Sequence, residues 1–237
     1  MSSQHMFQIR PYDCDAYGHL ATARYLRIVH EADSAGPGRL ASTVASWQPR
    51  TLFFEFFRPL NAGDQVEVLT TSTSDCLREY VLRRSGSEEI AATASIEWWL
   101  ANLGRGEPAA TATQGEPQDA RNLSSFGPPE LPRPPRGVFS MERRVLWHDI
   151  GSDYAMRLGA YGRIVIDCSI EVGAHFGWSV QRSQEEGIGY VARRLWMEFG
   201  QPAGLGDDLR VSSYVSQLKR STIIRHYLCL LYTSPSP

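Results

Sequence analysis

Cysteine is scarce in this chain. Its 237 residues hold four, Cys14, Cys76, Cys168 and Cys229, and none stands at a metal-ligand spacing, so no metal site is expected and reduced thiols in a cytoplasm are the simplest reading. A charge excess is also missing. With 24 basic against 26 acidic residues the formal net charge is −2, which gives no electrostatic reason to expect nucleic acid or an anionic membrane as partner. No long uncharged apolar run is present, so no membrane-spanning helix is expected. The opening Met1-Ser2-Ser3-Gln4-His5 lacks the basic and apolar regions of a secretory signal. There is no Gly-x-Ser-x-Gly elbow, which argues against an α/β-hydrolase. Phosphate-loop and dinucleotide fingerprints are absent too.

What remains is ordinary in bulk. Hydrophobic residues make up 42% and charged residues 21%, typical of a globular protein, and the length suits one large domain or two small ones. The informative stretch is Tyr12-Asp13-Cys14-Asp15-Ala16-Tyr17-Gly18-His19, followed by Leu20-Ala21-Thr22-Ala23-Arg24-Tyr25-Leu26. It reads as a strand end, a tight loop and a long helix. Tyr25, Leu26, Val29 and Ala32 recur at helical spacing, so one helix face is buried. Asp15 falls just before that helix, where the backbone N–H groups of the first turn lack intrahelical partners. A carboxylate beside such donors is a small acyl-transfer site: the donors hold a carbonyl oxygen as it gains charge, and the carboxylate activates water or attacks directly.

The pattern D-C-D-x-x-G-H followed by an A-R-Y-L helix resembles the hotdog-fold acyl-CoA thioesterases of the 4-hydroxybenzoyl-CoA thioesterase type. The resemblance implies an α+β fold in which a curved antiparallel sheet wraps one long helix. It implies Asp15 as the catalytic carboxylate and the Thr22 backbone N–H as the group that polarises the thioester carbonyl; His19, beside them on the loop, is a further candidate. Tyr17, Gly18 and Tyr25 are then the neighbours expected against the substrate. The family usually has Val-Asn-Asn where this chain has Leu20-Ala21-Thr22, which touches any side-chain role there but not the backbone donor. No cofactor is implied beyond coenzyme A as part of the substrate. An acyl-carrier-protein thioester is the close variant, and an acyl carrier protein is then a partner. A hotdog that binds an acyl thioester without turnover is the alternative of a different class, and a hydratase-type hotdog lacks its expected Asp and His motif.

Taken in order, residues 6–12 are predicted as the first strand and Leu20 to Asp33 as the helix, stopped by Gly36-Pro37-Gly38. Leu52 to Phe57, Gln65 to Thr71, Leu77 to Arg84 and Ile90 to Leu100 read as strands, one helix followed by antiparallel strands. From residue 102 to 137 no period survives and half of the chain's 14 prolines fall there, which marks a linker. Then the first pattern returns. Val145 to Gly151 lines up with Ile9 to Asp15, Tyr161 with Tyr25, and Phe199 to Asp207 echoes Phe57 to Asp64. Two tandem hotdog units follow, residues 1–101 and 138–231, expected to pair as an intrachain pseudo-dimer, with further homo-oligomers open. The second copy has Gly151 where the first has Asp15 and Ala155 where it has His19; Asp153 is the one substitute carboxylate nearby. Gly159 and Gly162 each cost its helix about 1 kcal/mol relative to Ala. Residues 232–237 have no counterpart in the first unit and read as a translated adaptor tail, with the second unit short of its last strand and its sheet edge open.

The plainer roles of these residues stand beside the chemical ones. Asp before a helix is commonly an N-terminal cap. His19 suits either the orientation of Asp15 and contact with the thioester, or closure of the loop by hydrogen bonding. Cys14 is expected to face away from Asp15, because neighbours on an extended chain point to opposite sides. Tyr25 also reads as core, Arg24 as surface and Glu31 as solvated. Arg83, Arg84, Arg193 and Arg194 are either exposed strand residues or ligands for the phosphates of coenzyme A.

Overall fold

The structure, a computed structural model, describes residues 2–34, 45–74, 76–102 and 138–231. These residues divide into two compact units, one built from residues up to 102 together with 192–202, the other from 138–191 together with 203–231. Of the predicted linker, 102–137, Asn102 is the last residue of a strand and 103–137 lie outside the described residues, as do the predicted tail 232–237 and the expected helix stop at 36–38.

In the first unit, strand β1 (Ser2–Gln8) leads through a 3₁₀ turn at Pro11–Asp13 into helix α1 (Thr22–Ser34). Strands β2 (Ala45–Phe56), β3 (Gln65–Ser72), β4 (Leu77–Arg84) and β5 (Ile90–Asn102) follow. They form an antiparallel sheet in the order β1-β3-β4-β5-β2. The predicted helix and strands are present, with shifted ends. β1 lies earlier than predicted, because Pro11 has no N–H for a ladder and instead opens the 3₁₀ turn. β2 starts upstream of the predicted Leu52, and Pro49 is accommodated by a register shift between Pro49 and Thr51.

The buried stripe of α1 is Ala23, Tyr25, Leu26, Ile28, Val29, Ala32 and Asp33. The sheet supplies Leu52, Phe54, Val66, Val68, Leu82, Ile96 and Trp98 to the same core. Each such large apolar side chain contributes about 1.5–3 kcal/mol relative to exposure, which is what holds an otherwise marginal 13-residue helix. Asp33 ends the stripe as a buried carboxylate. Tyr80 donates to it at 2.7 Å, Arg78 pairs with it at 3.1 Å, and Trp98 Nε1 donates to the Tyr80 hydroxyl at 3.3 Å.

The second unit repeats the plan with β6 (Phe139–Arg144), a 3₁₀ turn at Trp147–Asp149, α2 (Leu158–His175), a short α3 (Val180–Glu185), and, beyond β7 (Arg194–Glu198), β8 (Asp208–Lys219) and β9 (Thr222–Leu231). Its antiparallel sheet has the order β6-β8-β9. α2 contributes Ala160, Ile164, Cys168 and Val172 to a core shared with Val145, Ile150, Met156, Leu209 and Val211. Gly159 and Gly162 are buried within α2, where packing offsets their poor helix propensity.

One boundary differs from the sequence expectation. Residues 192–202 belong with the first unit, not with a continuous second unit of 138–231. β7 pairs antiparallel with β2, in the register Thr51↔Glu198, Phe53↔Trp196 and Glu55↔Arg194. The cause is backbone hydrogen bonding. In the first sheet β5 stands between β4 and β2. β5 occupies one edge of β2 and β7 pairs with the other, so the ladder groups along that edge of both strands are satisfied.

Candidate active site

The two repeats build the same backbone loop with different side chains. In the first, Asp15 N–H donates to His19 O at 2.7 Å and Gly18 N–H to Asp15 O at 3.0 Å. In the second, Gly151 N–H donates to Ala155 O at 2.8 Å and Tyr154 N–H to Gly151 O at 3.1 Å. The loop is fastened to its helix in the same way twice: Ala21 N–H donates to Asp13 O, and Arg157 N–H to Asp149 O. Both loops need one residue with positive φ, which is Gly18 at 80° in the first and Tyr154 at 60° in the second.

In the first loop the Asp15 carboxylate folds over its own turn. Its Oδ1 accepts the backbone N–H of Tyr17 at 2.9 Å and of His19 at 3.1 Å. This is loop closure rather than helix capping, the local bonding that Asp provides in turns. Only one carboxylate oxygen is used. Oδ2 has no hydrogen-bond partner among the described residues, and Asp15 is exposed. It is therefore an anchored carboxylate with one oxygen open to an incoming group.

Thr22 begins α1. Ala21 N–H is taken by Asp13, and Arg24 and Tyr25 N–H groups reach back to Ala21 O. That leaves the Thr22 and Ala23 N–H groups without partners among the described residues, as expected for a helix start. His19 is half-buried and engages Asp15 through its backbone; its imidazole has no hydrogen-bond partner among the described residues. Gly18 and Tyr17 lie exposed on the loop tip. Tyr25 points the other way, into the core, with its ring edge-on to Phe54 and Phe56 at 6.0 and 5.2 Å. Burial pushes its phenol up to about 12, so it remains protonated.

Cys14 is not poised as a nucleophile. Burial, and then the neighbouring Asp15 charge, push its thiol above the usual range, away from the reactive thiolate. The four arginines considered for phosphate binding are engaged with carboxylates: Arg83 with Glu67 and Glu88, Arg84 with Asp64, and Arg193 and Arg194 with Glu55. Glu31 forms an exposed pair with Arg27 at 2.6 Å, consistent with a solvated role. A cleft of about 290 Å³ lies beside the loop rather than over Asp15. Arg10, Tyr12, Asp13, Arg24 and Arg27 line it.

In the second loop the carboxylate position is empty of its own side chain but not of a carboxylate. Asp153 turns back, and its Oδ1 accepts the buried Ala155 N–H at 3.2 Å. A Cβ added at Gly151 would lie 2.6 Å from that oxygen. Asp153 thus performs the loop closure that Asp15 performs in the first unit. Its position two residues after Gly151 is the sequence signal for the exchange. Asp149, the counterpart of Asp13, is buried. Burial works against its charge, but the Leu146 N–H, Arg163 at 2.7 Å, Arg143 and His148 outweigh it and hold its carboxyl below the usual range.

No protein-family model and no curated protein matches this sequence. Solved structures do. The chain is similar to the 12:0-ACP thioesterase from Umbellularia californica, with a TM-score of 0.72 and 15% identity over 97% of this chain and 88% of that one. It is also similar to an acyl-ACP thioesterase from Bacteroides thetaiotaomicron, with a TM-score of 0.60 and 14% identity over 97% of each chain. Identities this low speak to architecture alone, and together with the antiparallel sheets and their helices they identify the fold as the α+β hotdog fold.

Proposed function

We propose that this chain hydrolyses an acyl thioester at the Asp15 loop of its first unit. The observation that carries the reading is the Asp15 carboxylate, held through Oδ1 by two backbone N–H groups with Oδ2 open, on the loop that leads into the partnerless N–H groups of α1. In this reading the thioester carbonyl oxygen accepts the Thr22 N–H, which stabilises the charge that develops on it. Asp15 takes a proton from water as the water oxygen adds to the carbonyl carbon. The tetrahedral intermediate collapses, the C–S bond breaks, and the thiolate leaves and is protonated. Direct attack by Asp15, giving an acyl anhydride that water then opens, is the other route open to the same carboxylate. In this reading His19, with its imidazole uncommitted, and Tyr17 and Gly18 on the loop tip meet the thioester end of the substrate, while Tyr25, buried in the core, supports the helix from behind and does not touch the substrate.

The substrate class proposed is an acyl-CoA. An acyl-carrier-protein thioester is the second reading, favoured by the names of two structural neighbours that span nearly the whole chain, both acyl-ACP thioesterases. Gly151 and Ala155 leave the second unit without the Asp15 and His19 side chains, so turnover is assigned to the first unit. Asp15→Asn tests the reading, because Asn keeps an Oδ1 acceptor for Tyr17 and His19 but is neither base nor nucleophile. Acyl-CoA hydrolysis is expected to fall by at least about 100-fold, the lower end for a general base, with an unchanged circular dichroism spectrum. Equal rates would remove Asp15 from the chemistry.

A further inference from the structure

The second unit's loop has exchanged more than a carboxylate. The positions filled by Pro11, Asp15, Gly18 and Ala21 in the first loop carry Trp147, Gly151, Tyr154 and Arg157 in the second. These four, with Ile150 and Ser152, line a hollow of about 240 Å³. Trp147 and Tyr154 are 70% and 63% exposed and meet edge to face at 6.4 Å. Core packing does not explain two large aromatic rings left so open. The Arg157 guanidinium is exposed at the rim and has no ion-pair or hydrogen-bond partner among the described residues. The loop's two carboxylates are already engaged, Asp149 by Arg163 and Asp153 by the Ala155 N–H. Asp153 keeps its charge, but the one charged side chain among the residues that line the hollow is the cation Arg157.

We propose that this hollow is a binding site for the phosphoadenosine end of coenzyme A, with the base against Trp147 and Tyr154 and a phosphate on Arg157. The proposal rests on the acyl-CoA form of the thioester reading. Aromatic faces take a base by stacking, and an unpaired guanidinium is suited to phosphate. The volume lies below the roughly 300–1,000 Å³ of sites that enclose a drug-sized ligand, so it fits one base and its phosphate rather than an acyl chain.

The test is calorimetric titration of the full chain with adenosine 3′,5′-bisphosphate, which involves no hydrolysis. Saturable binding is expected. Trp147→Leu and Arg157→Gln should each weaken it by at least about 10-fold, a loss in the range of one base–aromatic stack. Tyr154→Gly fits the positive φ of that position, so it should weaken binding while leaving the melting temperature unchanged or raised. Coenzyme A should displace the bisphosphate, and 4′-phosphopantetheine, which lacks the base, should not. Absence of binding at 1 mM (roughly the weak limit of specific recognition) overturns the proposal, as does unchanged affinity in Trp147→Leu. Inorganic phosphate binding equally well overturns the role of the rings. Adenosine monophosphate binding that coenzyme A does not displace marks a free-nucleotide site and also overturns it. Hydrolysis without bisphosphate binding sinks this proposal and leaves the thioesterase reading standing; bisphosphate binding without hydrolysis does the reverse.

Discussion

Restoring Asp at Gly151 should have an effect whose sign depends on Asp153. In the native loop Asp153 Oδ1 closes the turn on the Ala155 N–H, and a Cβ at Gly151 would come within 2.6 Å of that oxygen. Gly151→Asp alone therefore expels the Asp153 carboxylate and installs another acceptor for the same N–H. The hydrogen bond is exchanged, not gained, and two carboxylates become neighbours. The stiffer unfolded chain offsets this by about 0.4–1 kcal/mol, so the net change should lie within about 1 kcal/mol of zero. Asp153→Ala alone leaves the buried Ala155 N–H without an acceptor, at about 1–3 kcal/mol. Adding Gly151→Asp to that variant rebuilds the first-unit arrangement and should recover most of the loss. The coupling between the two substitutions should thus be about 1–3 kcal/mol and favourable. Urea denaturation of the four proteins measures it, with amide exchange at Ala155 as the local readout, where about 1.4 kcal/mol corresponds to a tenfold change in exchange. Equal effects of Gly151→Asp in both backgrounds would refute the argument that Asp153 occupies the missing side chain's place.

Three further outcomes are expected. Asp33→Ala should destabilise the first unit by about 3–5 kcal/mol in urea denaturation, because it strands Arg78 in a largely buried position, whereas an effect below about 1 kcal/mol would mean the network is peripheral. Asp149 has a carboxyl depressed in the folded state, so its contribution to stability is present above the unfolded carboxylate value of about 3.9 and is lost as pH falls through the folded one; the melting-temperature gap between wild type and Asp149→Asn should be full at pH 7 and close below about pH 4. Cys14→Ala should retain thioester hydrolysis, and a thiol reagent at neutral pH should modify exposed Cys76 before Cys14; preferential labelling of Cys14 would reverse our view of that thiol.

Much of the architecture is local and was therefore legible in the sequence. The period of Tyr25, Leu26, Val29 and Ala32 specifies a helix with one buried face, and all four are buried. Alternation from Gln65 and from Leu77 specifies strands, and those strands begin at those residues. The repeat that aligns Ile9 to Asp15 with Val145 to Gly151 returns as the same set of backbone hydrogen bonds in both loops. The ends of β1 and β2 were less legible, because they depend on which neighbour supplies hydrogen bonds and on how Pro11 and Pro49 are accommodated.

The sequence by itself determined the elements whose causes lie within a few residues: helix periodicity, strand alternation, the loop chemistry of Asp15 and Gly18, and the repetition of the whole pattern. Only the tertiary structure decided the matters that turn on partners distant in the chain. β7 joins β2 because β5 covers only one edge of β2 and the ladder groups of its other edge need a partner distant in the chain. Arg83, Arg84, Arg193 and Arg194 are paired with carboxylates because the sheet register sets them there. Trp147, Tyr154 and Arg157 surround one hollow because a tight turn folds the loop back on itself. Periodicity records which way a side chain faces; it carries no information about what it meets there, and at these sites the meeting decides the chemistry.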